Sequence, residues 1–274
     1  EAKDFLEYKQ QSRKDLDVSV AYVEDIYKEF NFGIKSPHAI KNYLKFAYDN
    51  WKEKSLKYVL LLGDASWDPK NIRTYSIFKD YVPAYGIPIS DYWYSLLDDS
   101  NDNIADIAIG RIPIKNREDA NNYLNKLKDF DKAESAPWQS SFLFLSAGAN
   151  EYERANMLSL TNDQIDLHKR SSFCNTQQLI QKSPVLGTQP NYDDAPKIID
   201  AINAGAMWTF YMGHGSPDYF EMDGWIPDNF SNKGRYGVLS MASCNTGFFA
   251  LSDVNSRLEK YLFVKDKAFI ACIG

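Results

Sequence analysis

Cysteine and histidine are scarce in this 274-residue chain, at three residues each. Three cysteines exclude a disulfide scaffold. One bridge, Cys174 to Cys272, stays open, and an odd cysteine raises the question of a reactive thiol. The histidines (His38, His168 and His214) are scattered, so a zinc site with three or four convergent ligands is not expected. No apolar run approaches the ~18 residues of a membrane span. A net charge of −6 with no basic run excludes a nucleic-acid partner. Repeats, low-complexity tracts, long linkers and a visible signal peptide are lacking too. The chain opens on Glu1 and closes inside the apolar "AFIACIG", which reads as cuts at both ends, with compartment signals expected outside it.

What is there is ordinary globular material, 44% hydrophobic and 25% charged, with a high aromatic share of 15%. Apolar runs alternate with helical patterns. "VSVAYV" (18–23) reads as a strand. Ser36-Pro37 supplies an N-cap and an N1 proline for a helix to about Trp51. "KYVLLLGD" (57–64) reads as a strand buried on both faces, "YVPAYGIPI" (81–89) as extended, "ADIAIGRIP" (105–113) as a strand and 116–133 as a charged helix. The series then restarts. Strands are expected at 141–148, 175–181, 206–213, 235–243 and 267–273. Helices are expected at 152–170, at 193–204 with Gly205 past its end, and at 247–262. Strands separated by helices imply an α/β fold with mostly parallel sheets flanked by helices. The Pro137-Trp138 region marks the boundary, giving an N-terminal αβ subdomain over 1–134 and a second over 135–274.

In parallel sheets, loops at the carboxyl ends of strands build the site. "GHGS" (213–216) follows one strand and "ASCNTG" (242–247) follows another. Neighbouring strands would put His214 beside Cys244, where an imidazole can take the thiol proton and free the sulfur to attack a carbonyl. The amides of Gly215 and Cys244 are candidates for an oxyanion hole. Against this stands the plainer reading of a buried small thiol and a turn histidine. Ser216 is a rival nucleophile without the Gly-x-Ser-x-Gly elbow. His38, at a helix start, and His168, at a polar helix end, read as structural. "LLDDSNDNIAD" (96–106) is oxygen-rich and offers Asp98, Asp99 and Asp102 as calcium ligands, though its spacing is not that of an EF-hand. Asp64 and Asp68 of "GDASWD" sit at a strand end.

"YMGHGSPDYFEMDGW" followed by "LSMASCNTGFF" resembles the histidine and cysteine motifs of the gingipain-type cysteine peptidases, whose fold is caspase-like. "KYVLLLGDASWD", "SDYWYSLLDDSNDNIADIAIGRIPIKNREDA" and "AFIACIG" continue the likeness in the family's order, over nearly the whole chain. The nearer branch looks like the PorU-like sortase of the type IX secretion system. The Gln-Ala-Cys signature of caspases proper is absent. The resemblance implies two side-by-side αβ subdomains, the second carrying the nucleophile and here truncated at its C-terminus. It implies Cys244 as nucleophile, His214 as base and acid, and Asp106 as orienting carboxylate. Asp223, Trp225 and Ser243 would then line the substrate pocket, with acids there suiting a cationic side chain. It also implies a secreted or cell-surface cysteine endopeptidase acting on proteins or peptides, with no cofactor in the chemistry and structural calcium. The alternatives carried with it are a sortase, transferring the acyl group to a lipopolysaccharide amine alongside secretion-system components, and an inactive binding module.

Overall fold

The computed structural model describes residues 1–52, 55–98, 102–170, 173, 175–184 and 191–274. Asp99 and Cys174 lie outside the described residues, and so does the pairing of Cys174 with Cys272. The chain divides into two compact units, one of Glu1–Arg117 with Phe249–Val254 and one of Glu118–Phe248 with Asn255–Gly274.

The first unit runs α1 (Ala2–Ser12), α2 (Val23–Asn31), α3 (Pro37–Asn50), β1 (Tyr58–Leu62) and β2 (Ala108–Ile112). Ser36 caps α3 as its sequence suggests, its hydroxyl accepting the His38 amide at 3.1 Å. β1 and β2 pair in parallel, Tyr58 opposite Ala108 and Leu62 opposite Ile112. Ile26, Tyr27, Ile40 and Leu44 of the helices pack on Leu61, Val82, Tyr94 and Ile107. Each such buried apolar side chain contributes roughly 1.5–3 kcal/mol.

Arg111 of β2 locks the unit from inside. Its guanidinium forks onto Asp91 at 2.6 and 2.7 Å, and its Nη1 donates to the carbonyls of Gly63 and Val82 at 2.7 Å. Three expectations change here. Residues 18–22 form no strand, because no partner strand is present among the described residues and α2 opens at Val23. β1 is covered on one face only, with Tyr58 64% and Leu60 48% exposed. The prolines of 81–89 lead into a turn closed by a Tyr85–Ser90 bridge.

The second unit opens at Glu118, one residue into α4 (Arg117–Asp131), and continues through β3 (Ser141–Ser146), α5 (Glu151–Lys169), β4 (Thr176–Gln181), α6 (Ala195–Ala204), β5 (Trp208–Met212), β6 (Val238–Ala242), α7 (Arg257–Phe263) and β7 (Ala271–Ile273). Its five strands lie in the order β4-β3-β5-β6-β7, all pairings parallel. Leu143, Leu145, Tyr211, Leu239 and Met241 face α6 and α7, meeting Ile198, Ile202, Leu258 and Tyr261. On the opposite face Phe142 and Phe144 meet His168 of α5, at ring centroids 5.0 and 5.9 Å away. His168 is thus packed in, and His38 likewise lies edge-on to Tyr85 and Trp93.

α4 belongs with this unit, rather than closing the first, because of Lys126. That side chain is fully buried, and its Nζ donates to the carbonyls of Tyr261, Lys267 and Phe269 at 2.9, 3.1 and 2.9 Å. Burial pushes its pKa down to about 7. α7 is shorter than the helix expected over 247–262. A capping box sets its start, with Ser256 Oγ accepting the Glu259 amide while Glu259 accepts the Ser256 amide. No helix among the described residues is long and apolar enough to cross a membrane.

Candidate active site

β5 and β6 are adjacent, with Met212 opposite Ala242. His214 and Cys244 therefore leave the sheet side by side, each two residues past a strand end. The two loops touch: a Cβ added to Gly215 would collide with Ser243 Oγ and come within 3.0 Å of Thr246 Cγ2. Only glycine allows the His214 loop to pass so close to the Cys244 loop. After Cys244 the chain turns sharply, with Asn245 at φ 55° and the Phe248 amide bonded to its carbonyl at 3.2 Å. Asparagine tolerates this left-handed backbone. The Cys244 thiol is exposed and free.

The His214 ring is fixed from the third strand of the series. β3 lies on the other side of β5, with Ser146 opposite Met212, and the chain leaving β3 enters α5. Asn150 caps that helix, accepting the Glu153 amide at 2.9 Å. The Glu153 carboxylate folds back to accept Ala149 N–H at Oε2, 2.9 Å, and Asn150 Nδ2 at Oε1, 2.9 Å. Its Oε2 also stands 3.0 Å from His214 Nε2. The Ala149 amide, then His214, hold the Glu153 carboxyl below the usual carboxylate range. Facing a carboxylate, Nε2 carries the proton, which leaves Nδ1 as the basic nitrogen. Three neighbouring strand ends thus lead into the segments that carry Cys244, His214 and Glu153, with the carboxylate in contact with the imidazole.

The other residues singled out from the sequence fall as follows. Asp106 is in the first unit, where Oδ2 accepts the amides of Leu97 at 2.6 Å and Asp98 at 2.9 Å, and Oδ1 accepts the Tyr48 hydroxyl at 3.4 Å. It ties down the loop before β2, and the carboxylate on His214 is Glu153. Asp223 is 4% exposed and takes the Arg257 guanidinium at 2.9 and 3.3 Å. Trp225 is fully buried and stacked on Tyr261 at 5.5 Å. Both support the loop from within instead of facing a ligand. Ser243 lies between the two loops, its Oγ buried with no bond partner among the described residues. Ser216 Oγ donates to Asp218 at 2.6 Å.

Asp102 accepts its own loop's Ile104 amide at 2.8 Å. Asp64 pairs with Lys115 at 3.2 Å, and Asp68 accepts the Arg73 amide and the Ser76 hydroxyl at 2.8 and 2.7 Å. Among the described residues no three His, Cys, Asp or Glu side chains gather as a metal ligand set. Of the three acids singled out for calcium, Asp99 lies outside the described residues.

Glu153 escapes a reading of the sequence because it sits at the N3 position of a helix, where glutamate is a common cap. The usable signal was positional: it follows the carboxyl end of β3 just as His214 and Cys244 follow β5 and β6.

The fold matches solved structures. The Arg-specific cysteine proteinase gingipain R (RgpB) superposes with a TM-score of 0.73 at 20% identity, over 98% of this chain and 58% of that one. The complex of Porphyromonas gingivalis RgpB pro- and mature domains gives 0.73 at 20%, over 99% and 60%. A structure described as a protease gives 0.61 at 15%, over 86% and 49%. The chain thus spans less than two thirds of the length of these relatives. No curated protein matches it. The model of peptidase family C25 matches residues 1–274, its full length. A gingipain-like α/β fold and a family match over every residue lead to one assignment: the chain belongs to peptidase family C25.

Proposed function

We propose that the chain is the peptidase domain of a cysteine endopeptidase that cleaves peptide bonds through a thioester on Cys244. The observation carrying this reading is the placement of Cys244 and His214 two residues past the carboxyl ends of adjacent parallel strands, with Glu153, after the next strand, on the His214 ring. His214 Nδ1 takes the Cys244 proton, and the thiolate attacks the scissile carbonyl, forming the C–S bond and placing charge on the oxygen. The amides of Gly215 and Cys244 receive that oxyanion, a contribution of about 2.7–4 kcal/mol per donor in comparable sites. Collapse breaks the C–N bond, and the imidazolium passes its proton to the leaving amine. Water, deprotonated by the same imidazole, then attacks the thioester, releasing the acid and restoring the thiol. Glu153 holds Nε2–H in place and stabilises the imidazolium as it forms. No cofactor enters these steps.

A protein or peptide substrate and a secreted or cell-surface setting go with this reading. Hydrolysis and acyl transfer share the thioester, so the product separates them. In ¹⁸O-labelled water with an added amine, hydrolysis puts one ¹⁸O in the new carboxyl group, whereas transfer yields the amide. Cleavage surviving in Cys244→Ala would remove Cys244 from the mechanism.

A further inference from the structure

Glu221 is fully buried and touches no reacting atom. Its Oε2 accepts two backbone amides, His214 N–H at 2.8 Å and Gly148 N–H at 3.2 Å. Its Oε1 faces Lys182 Nζ at 3.3 Å, and Lys182, also buried, donates to the Gly148 carbonyl at 3.3 Å. The ion pair therefore grips Gly148 by both its N–H and its C=O. Gly148 has φ 133°, and an added Cβ would fall 2.5 Å from the Arg154 amide nitrogen, so the loop presses on the first turn of α5. The next amide, Ala149 N–H, bonds the very Glu153 oxygen that faces His214. The bonds close a ring: the His214 backbone, Glu221, Gly148, Ala149, the Glu153 carboxylate and back to the His214 imidazole. The Tyr211 hydroxyl braces it, donating to the His214 carbonyl at 2.8 Å and accepting the Glu221 amide at 3.1 Å.

A buried ion pair brings little net stability, because desolvation offsets most of its attraction. An apolar pair of the same size would fill this space about as well. A neutral side chain would not hold two amides on one oxygen with a charge-assisted bond to each. We infer that Glu221, charge-matched by Lys182, is a positioning residue that sets the separation of the His214 imidazole from Glu153. The inference rests on His214 acting as the base of the proposed reaction. A shift of about 1 Å in such a group costs on the order of a hundredfold in rate.

The test uses Glu221→Gln, read by peptide turnover and by NMR titration of the His214 ring, one of only three histidine signals. The expected result is a kcat loss on the order of ten- to hundredfold. KM should stay within about twofold, since the change acts in the transition state and not on ground-state binding. The His214 titration should shift toward the curve of Glu153→Gln. Combining Glu221→Gln with Glu153→Gln should lose no more than the larger single effect, as expected of residues acting through one contact. Should the single variant fail to fold, Lys182→Met/Glu221→Gln, which leaves no unpaired buried charge, is read in its place. A folded variant with wild-type His214 titration, or losses that multiply with those of Glu153→Gln, would overturn the inference. The titration needs no substrate, so it decides the positioning role even if no peptide is cleaved.

Discussion

Glu153 Oε2 stands 3.0 Å from His214 Nε2 and takes the Ala149 amide at 2.9 Å. One oxygen thus serves both helix entry and imidazole orientation. The bonds that start α5 also aim the carboxylate, so the orienting group is held before any substrate arrives.

Glu153→Gln should fold and lose roughly ten- to thousandfold in kcat, since an amide offers the ring the wrong partner for its tautomer. Unchanged turnover would contradict the role. The pH dependence has a definite sign. Because the folded carboxyl titrates below its ordinary range, led by the Ala149 amide and then by His214, it stabilises the fold above that range and stops doing so as pH falls through the lower folded value. Between about pH 5 and pH 3 the variant should lose less thermal stability than the wild type.

Asp106→Asn is expected to keep turnover within about twofold and to cost about 1–3 kcal/mol of stability in the first unit, because an amide oxygen poorly replaces a carboxylate accepting two backbone amides. Denaturation with parallel turnover assays checks both. A large kcat loss with an intact fold would make Asp106 the orienting carboxylate after all.

Arg257→Met leaves Asp223 buried and unpaired, and should cost about 3–5 kcal/mol. Asp223→Asn, profiled on a peptide library, should keep the wild-type order of preference at the position before the cleaved bond, because Arg257 already occupies that carboxylate. Loss of preference for a cationic side chain there would return Asp223 to the substrate pocket.

The strand ends were the most legible part of the sequence. β3, β5 and β6 stand out because each is an apolar run closed by small residues, and the small residues are there for the loops that follow. His214 and Cys244 were legible for the same reason. β1 read as buried on both faces since Tyr58 and Leu60 are as apolar as any core residue, and their exposure depends on which elements cover the sheet. The residues after Gly247 carry helical spacing, yet loop bonds from Trp67, Ile77 and Phe78 to the carbonyls of Ala250 and Ser252 claim that stretch for the first unit. Asp223 looked like an acid awaiting a cationic ligand, and nothing near Glu221 in the chain marked it as half of a buried ion pair. Their partners, Lys182 and Arg257, lie 39 and 34 residues away in the chain, beyond the reach of any local pattern.

The two described cysteines should differ sharply toward a small alkylating reagent. Burial pushes the Cys272 thiol up to about 12. At pH 8 its thiolate is then about one part in ten thousand. In a Cys174→Ser background, peptide mapping after iodoacetamide should find the label on exposed Cys244. Comparable labelling of Cys272 would mean that its site opens readily.

The most direct measurement is active-site labelling with peptidyl acyloxymethyl ketones, mapped by mass spectrometry on the wild type, Cys244→Ala and His214→Ala. One adduct is expected, on Cys244, absent in Cys244→Ala and formed at least about tenfold more slowly in His214→Ala. An adduct on any other residue, or equal labelling without His214, would contradict the thiol–imidazole mechanism.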